Sequence, residues 1–290
     1  MRIRYCFLLI LLSFSLSACD TSEENGSIPK QHLYLEQKPP GLTPEVFAPK
    51  IVTTKNAEFF GSFTPDLKEF YFKRKGGEFK ESTLVVIEYK NEQWIESVVY
   101  PPKASVGEPS LSPDGKTIHL GSRYIKRNGS GWSNVKSLKE PFKHVPIMRL
   151  TSSKNKSFVF DERDSIGTIW YSRFIEGKHE KPIAFSKEIN SGKWTSHPFI
   201  APDESYLIWD SERTGGYGNS DLYISYREDN GSWGPAINLG AGINTKYEEI
   251  FGSVTPDGKY LFFHRYLGKG EVNIFWVDTK AIKSFNSESR

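Results

Sequence analysis

Apolar and polar residues alternate along most of the chain, and the alternation restarts at one kind of turn. FTPDLKEFYF (63–72), LSPDGKTIHL (111–120), IAPDESYLIW (200–209) and VTPDGKYLFF (254–263) share a single layout. Five residues after Pro65, Pro113, Pro202 and Pro256 stand Phe70, Ile118, Leu207 and Leu261. Seven residues after stand Phe72, Leu120, Trp209 and Phe263. A period of two marks a strand with one buried face. Phe63, Leu111, Ile200 and Val254 lie two residues before each proline, so a strand also enters the turn. Pro fixes φ, Asp accepts bonds from nearby amides and Gly tolerates positive φ, so Pro-Asp-Gly predicts a hairpin turn.

The prolines are 48, 89 and 54 residues apart, and the wide gap predicts a further copy near its middle. Residues 153–160, SKNKSFVF, supply it: Phe158 and Phe160 keep the apolar spacing, and Asn155 is expected to take the place of Gly. Each hairpin is followed by a third strand (STLVVIEY, SRYIK, TIWYSR, DLYISY, VNIFWV). After the first four of these comes a fourth strand (NEQWIESVVYP, GSGWSNVKSL, GKHEKPIAFS, NGSWGPAINL). Four strands per repeat make one propeller blade. The fifth copy stops after its third strand, and an unpaired segment resembling a fourth strand, TPEVFAPKIVTT, stands before the first copy. An N-terminal strand that completes the last blade closes a ring and leaves no open edge. The expectation is an all-β, closed β-propeller over residues 40–290, with five blades. Six blades is the alternative, and it requires a blade the pattern does not show.

The first eighteen residues break this pattern. Arg2 and Arg4 precede the apolar run FLLILLSFSLSA, the layout of a secretory signal. Leu16-Ser17-Ala18-Cys19 resembles the lipobox of bacterial lipoproteins, which implies an acylated Cys19 that anchors the chain without spanning the membrane. The organisation expected is a signal over 1–18, a lipidated Cys and flexible tether over 19–39, and the propeller beyond. Cys6 leaves with the signal, so the mature domain has no disulfide. The formal net charge of +3 falls to +1 without Arg2 and Arg4, and nothing in it points to nucleic acid.

The turn Thr255-Pro256-Asp257-Gly258-Lys259, the run GGYGNSDLYIS and the phrase SWGPAINLGAGINT resemble the Pro-Asp, WD40-like propeller repeats of the TolB-like family. The resemblance covers essentially the whole mature domain. It implies a propeller and protein interactions in the cell envelope, at the periplasmic or outer-membrane side. Leu67, Ser153-Lys154 and Glu204 depart from the repeat.

Most repeated residues read as scaffold, with Trp94, Trp132 and Trp233 as packing between blades. Candidate ligand-binding residues are polar ones on the face that carries the blade starts and the loops from second to third strands. They are Asp210 and Arg213 in the loop DSERTGGYG, Asp161 and Arg163, Arg74 and Arg265, and Glu58, Glu108, His197 and Glu249. Lys73, His264, His144 and Arg149 fall at similar registers. Mixed charge of this kind suits a protein segment or an oligosaccharide held by arginine and carboxylate bonds. Glu58 and Glu249 form a conceivable carboxylate pair for a glycosidase. His144 and His197 lack a third spaced ligand, so no metal site is expected, and no cofactor motif is present. The sequence therefore points first to a lipid-anchored, non-catalytic envelope module that binds a protein or a cell-wall glycan. A polysaccharide-active enzyme and a structural subunit of an envelope complex are the alternatives.

Overall fold

A computed structural model describes residues 28–100, 107–164, 166–268 and 270–282. Cys19 and the signal lie outside the described residues. The Pro-Asp turns form as their chemistry requires. The hydroxyls of Thr64, Ser112 and Thr255 each donate to the aspartate two residues on, at 2.6 Å. The same aspartates accept the amides of Lys68, Lys116 and Lys259. The third turn differs from expectation. Ser152 pairs with Phe158, whereas Phe63 pairs with Phe70, so this turn is one residue shorter. Its positive φ falls on Lys156 (65°), not on Asn155. Leu67 and Glu204 also take positive φ, at 60° and 66°. Tertiary contacts offset that strain: Leu67 is buried in the core, and Glu204 accepts from Ser153 and Arg227 at 2.6 Å each.

Five antiparallel sheets of four or five strands follow from these hairpins, and the six-bladed alternative is set aside. The innermost strands are Ala57–Phe63, Pro109–Leu111, Ile147–Ser152, Trp194–Ile200 and Glu248–Val254. The last blade continues through Tyr260–Gly268 and Glu271–Asp278 and ends on Glu45–Val46 from the N-terminal side. Glu45 pairs with Trp276 and Val46 with Phe275. The ring is therefore closed by a strand that precedes the first blade.

An aromatic cluster seals that closure. Phe47, fully buried, has its ring centroid 4.7 Å from Phe262, 4.9 Å from Phe70 and 5.1 Å from Trp276. Those partners belong to the first and last blades. The described part of the expected tether also joins this cluster. Tyr34 and Leu35 are buried, the Tyr34 hydroxyl donates to Asp257, and the Trp94 indole donates to the His32 carbonyl at 3.0 Å. Residues near 30 thus belong with the propeller, earlier than the expected boundary at 40. Trp132 meets Tyr71 of the first blade edge-on at 5.7 Å, and Trp233 meets Phe185 of the third at 5.6 Å, the inter-blade packing the pattern predicted.

Phe47→Ala removes the ring at the centre of the closing seam. The expected loss is about 3–5 kcal/mol of unfolding free energy, measured by urea denaturation. A loss near zero would show that the seam does not hold the ring shut.

Candidate functional site

Three layers of residues surround the propeller axis, and the local fold explains each. The outermost is a repeated buttress. Glu58 is fully buried, accepts the Thr54 amide and hydroxyl, and pairs with Arg74 Nε at 3.0 Å. Glu249 repeats the arrangement with Thr245 and with Arg265 Nε at 2.6 Å. Arg74, Arg213 and Arg265 each donate to an isoleucine carbonyl in the segment leading into their own blade: Ile51, Ile189 and Ile243. Each also lies over an aromatic ring: Phe72 at 4.9 Å, Tyr223 at 4.4 Å and Phe275 at 4.5 Å. These five candidates are thus internal partners of one another and of the backbone, and Glu58 and Glu249 offer no free carboxylate pair. Arg163 is exposed on the rim, and His144 is exposed beside Glu140.

The middle layer is a set of latches between blades. Asp161 accepts the amide of Arg149 in its own blade and of His197 in the next, both at 2.8 Å. Asp210 accepts the Phe251 amide of the following blade at 3.0 Å. His264 Nε2 accepts the Phe60 amide at 2.9 Å, which closes the ring from last blade to first. Lys73 holds the same register in the first blade but cannot accept, and its ammonium lies 4.6 Å from the Phe60 ring. Burial lowers the Lys73 pKa.

The innermost layer is one residue from each blade: Phe60, Glu108, Arg149, His197 and Phe251. Each stands three residues before the last residue of its innermost strand. In four of the five blades a register shift marks a bulge here, and Phe60, His197 and Phe251 have φ of 66°, 52° and 59°. Positive φ at three bulky residues aims their side chains at the axis. Phe60 and Phe251 meet edge-on at 4.4 Å, and His197 lies 3.7 Å from the Phe251 ring. Arg149 reaches across from the third blade and sits 5.6 and 5.5 Å from the two phenyl rings.

Charge in this layer is unevenly satisfied. His197 Nδ1 is 2.8 Å from Asp210, and Nε2 is 3.7 Å from Glu108. Burial alone would depress this histidine, but Asp210 and Glu108 outweigh it and raise the pKa to about 9. Burial, reinforced by Glu108, raises Asp161 to about 7. Burial, with Arg149 and His197 nearby, holds His264 well below the usual imidazole value, so it stays neutral and can accept. One Glu108 oxygen and two Arg149 nitrogens are buried without a hydrogen-bond partner.

Above this layer, at the Pro-Asp turn end, lies a cavity of about 180 Å³. Ser62, Ser110, Thr151, Phe199 and Ser253, one from each blade, line its wall; turn prolines rim it, and Arg149 reaches its inner end. The cavity lies on the face opposite to the one the sequence pattern indicates. The sequence candidates Glu108, Asp161, His197 and Asp210 do converge, and Phe60 and Phe251, which are not among those candidates, join them. The missed signal is the offset of three residues from the end of each innermost strand.

No family model matches the chain, and no curated protein matches it. Solved structures share the fold. An α-L-arabinofuranosidase from Podospora anserina aligns over 82% of this chain and 97% of its own, at 10% identity and TM-score 0.52. One from Lactobacillus brevis aligns over 78% and 91%, at 12% identity and TM-score 0.51. TolB from Acinetobacter baumannii aligns over 77% of this chain at 15% identity and TM-score 0.48, and the match spans 55% of TolB. At these identities the likeness is one of fold.

Two outcomes follow from the geometry. Arg265→Ala strands a fully buried Glu249 and costs about 3–5 kcal/mol. Adding Glu249→Gln recovers part of it, and a double-mutant cycle by chemical denaturation reads the coupling. His197 gains its proton's partner on folding, so its contribution is full below pH 6.5 and is lost as pH rises through about 9. NMR titration should find its ring protonated at pH 7, and Asp210→Asn should move the transition down toward the ordinary value.

Proposed function

We propose that this chain is a non-catalytic binding module held at the bacterial cell envelope by an acylated Cys19. Its partner, an envelope protein or a glycan, engages the propeller axis at the Pro-Asp turn end. The observation that carries the reading is the axial cavity itself: all five innermost strands contribute to its wall, and it ends on a buried cation. A site shared by every blade is complete only in the closed ring, which gives the closure a functional reason. The envelope assignment rests on the charged, apolar and lipobox segments of 1–19 and on the TolB-like repeat resemblance. Asp161 and Asp210 are already engaged by backbone amides and by His197, which favours holding a ligand over proton transfer to one.

A capture experiment tests the reading. Full-length protein in detergent is immobilised and exposed to solubilised envelope from the source cell, beside a Ser253→Phe column whose new ring fills the cavity. A protein or glycan retained by the first column and lost from the second is the expected result. Equal retention moves the interaction to the blade rims. Retention on neither column, together with turnover of a polysaccharide, sinks the binding reading in favour of an enzyme.

A further inference from the structure

The inner end of the axial cavity is an arginine whose donors are unspent. Arg149 is 4% exposed, and its Nε and Nη1 hydrogens meet no acceptor. Among the described residues no carboxylate oxygen lies within ion-pair distance of it, although Glu108, Asp161 and Asp210 are close enough to act on its charge. A buried guanidinium with unmade bonds is costly, and a group in that condition needs an explanation. The two flanking phenyl rings hold its position without using its N–H groups.

Three features define what would complete it. A guanidinium presents a planar fork that matches the two oxygens of a carboxylate. Glu108, Asp161 (its pKa raised to about 7) and Asp210 act on this cation, and Lys73 and protonated His197 add positive charge beside them, so one added carboxylate brings the cluster toward neutrality. The wall beyond Arg149 mixes hydroxyls with Phe199, Leu111, Ile200 and the turn prolines, a surface for an apolar stem. We propose that Arg149 anchors a single carboxylate carried on a short apolar stem, inserted from the Pro-Asp turn end. This deepens, and rests on, the reading of the axial cavity as the binding site. The carboxylate comes either from a free acid or from the carboxyl end of a chain.

Isothermal titration of the full-length protein with butyrate and with neutral butyramide tests the site. Saturable butyrate binding, at least tenfold tighter than butyramide, is expected. Arg149→Lys keeps the charge but loses the fork, and should weaken butyrate at least tenfold with the melting temperature unchanged. Ser253→Leu leaves Arg149 intact, obstructs the cavity and should abolish binding; it decides alone if the arginine variant does not fold. Gly-Gly-Val with a free and an amidated carboxyl end separates the sources. Binding of the free-ended peptide supports a chain terminus, and butyrate binding without it supports a free acid. Butyrate that does not bind, that binds no better than butyramide, or that ignores Ser253→Leu overturns the site. Envelope capture that persists in any of those cases leaves the binding module standing. Butyrate binding without envelope capture leaves the carboxylate site and removes the module.

Discussion

Five strands that splay around an axis expose backbone amides where no neighbouring strand can accept them, and the molecule depends on how those amides are satisfied. The answer is a side chain on the second strand of one blade that accepts an amide at the bulge of the next. Asp161 serves His197, Asp210 serves Phe251 and His264 serves Phe60. The last of these links the end of the chain's repeats to their beginning. A bulge held this way leaves its residue at positive φ with its side chain on the axis. The same bond therefore fixes neighbouring blades and determines what occupies the channel.

This dual duty explains why residues that look chemically active are mostly structural. Thr54-x-x-x-Glu58 with Arg74, and Thr245-x-x-x-Glu249 with Arg265, are one buttress written twice. The fourth blade has Thr195 and Ser211 where those blades have glutamate-side and arginine-side partners, and Arg213 reaches from two residues further on to the equivalent carbonyl of Ile189. Buried charges that recur at fixed register in several blades are scaffold. Within the innermost layer, Glu108 and Arg149 are the charged residues left incompletely paired.

Blade number, ring closure and hairpin turns were legible in the sequence because each rests on local chemistry: alternation for the strands, Pro-Asp-Gly for the turns, a displaced fourth strand for the closure. The third turn was misread by one residue because its shortening is compensated by Ser153 and Glu204, 51 residues apart, which no local pattern records. The start of the domain was placed too late because Tyr34 and Leu35 sit in a polar stretch and gain their burial only from the first and last blades. In the candidate site, register gave Asp161, Asp210 and His197 but not the direction of their side chains. That direction is set by bulges, and Pro-Asp motifs fix strand ends rather than bulges. Arg149 stood out only once its lack of a partner could be seen.

Carboxylate arithmetic bears on the choice between holding and hydrolysing. A glycosidase needs two carboxyl groups able to exchange protons with a substrate. Both oxygens of Asp161 accept backbone amides, and Asp210 accepts from Ser196, His197 and Phe251. Withdrawing either from its latch would unpair amides that fix adjacent blades, so the energy that makes the ring rigid opposes their use as acid or base. One buried Glu108 oxygen is unbonded, and His197 with its raised pKa faces it as a positive charge; half-buried Glu248, its pKa raised by burial and by Asp210, lies near the same histidine. The likeness to arabinofuranosidases is one of fold, and in this ring Asp161 and Asp210 are committed to the bonds that join the blades.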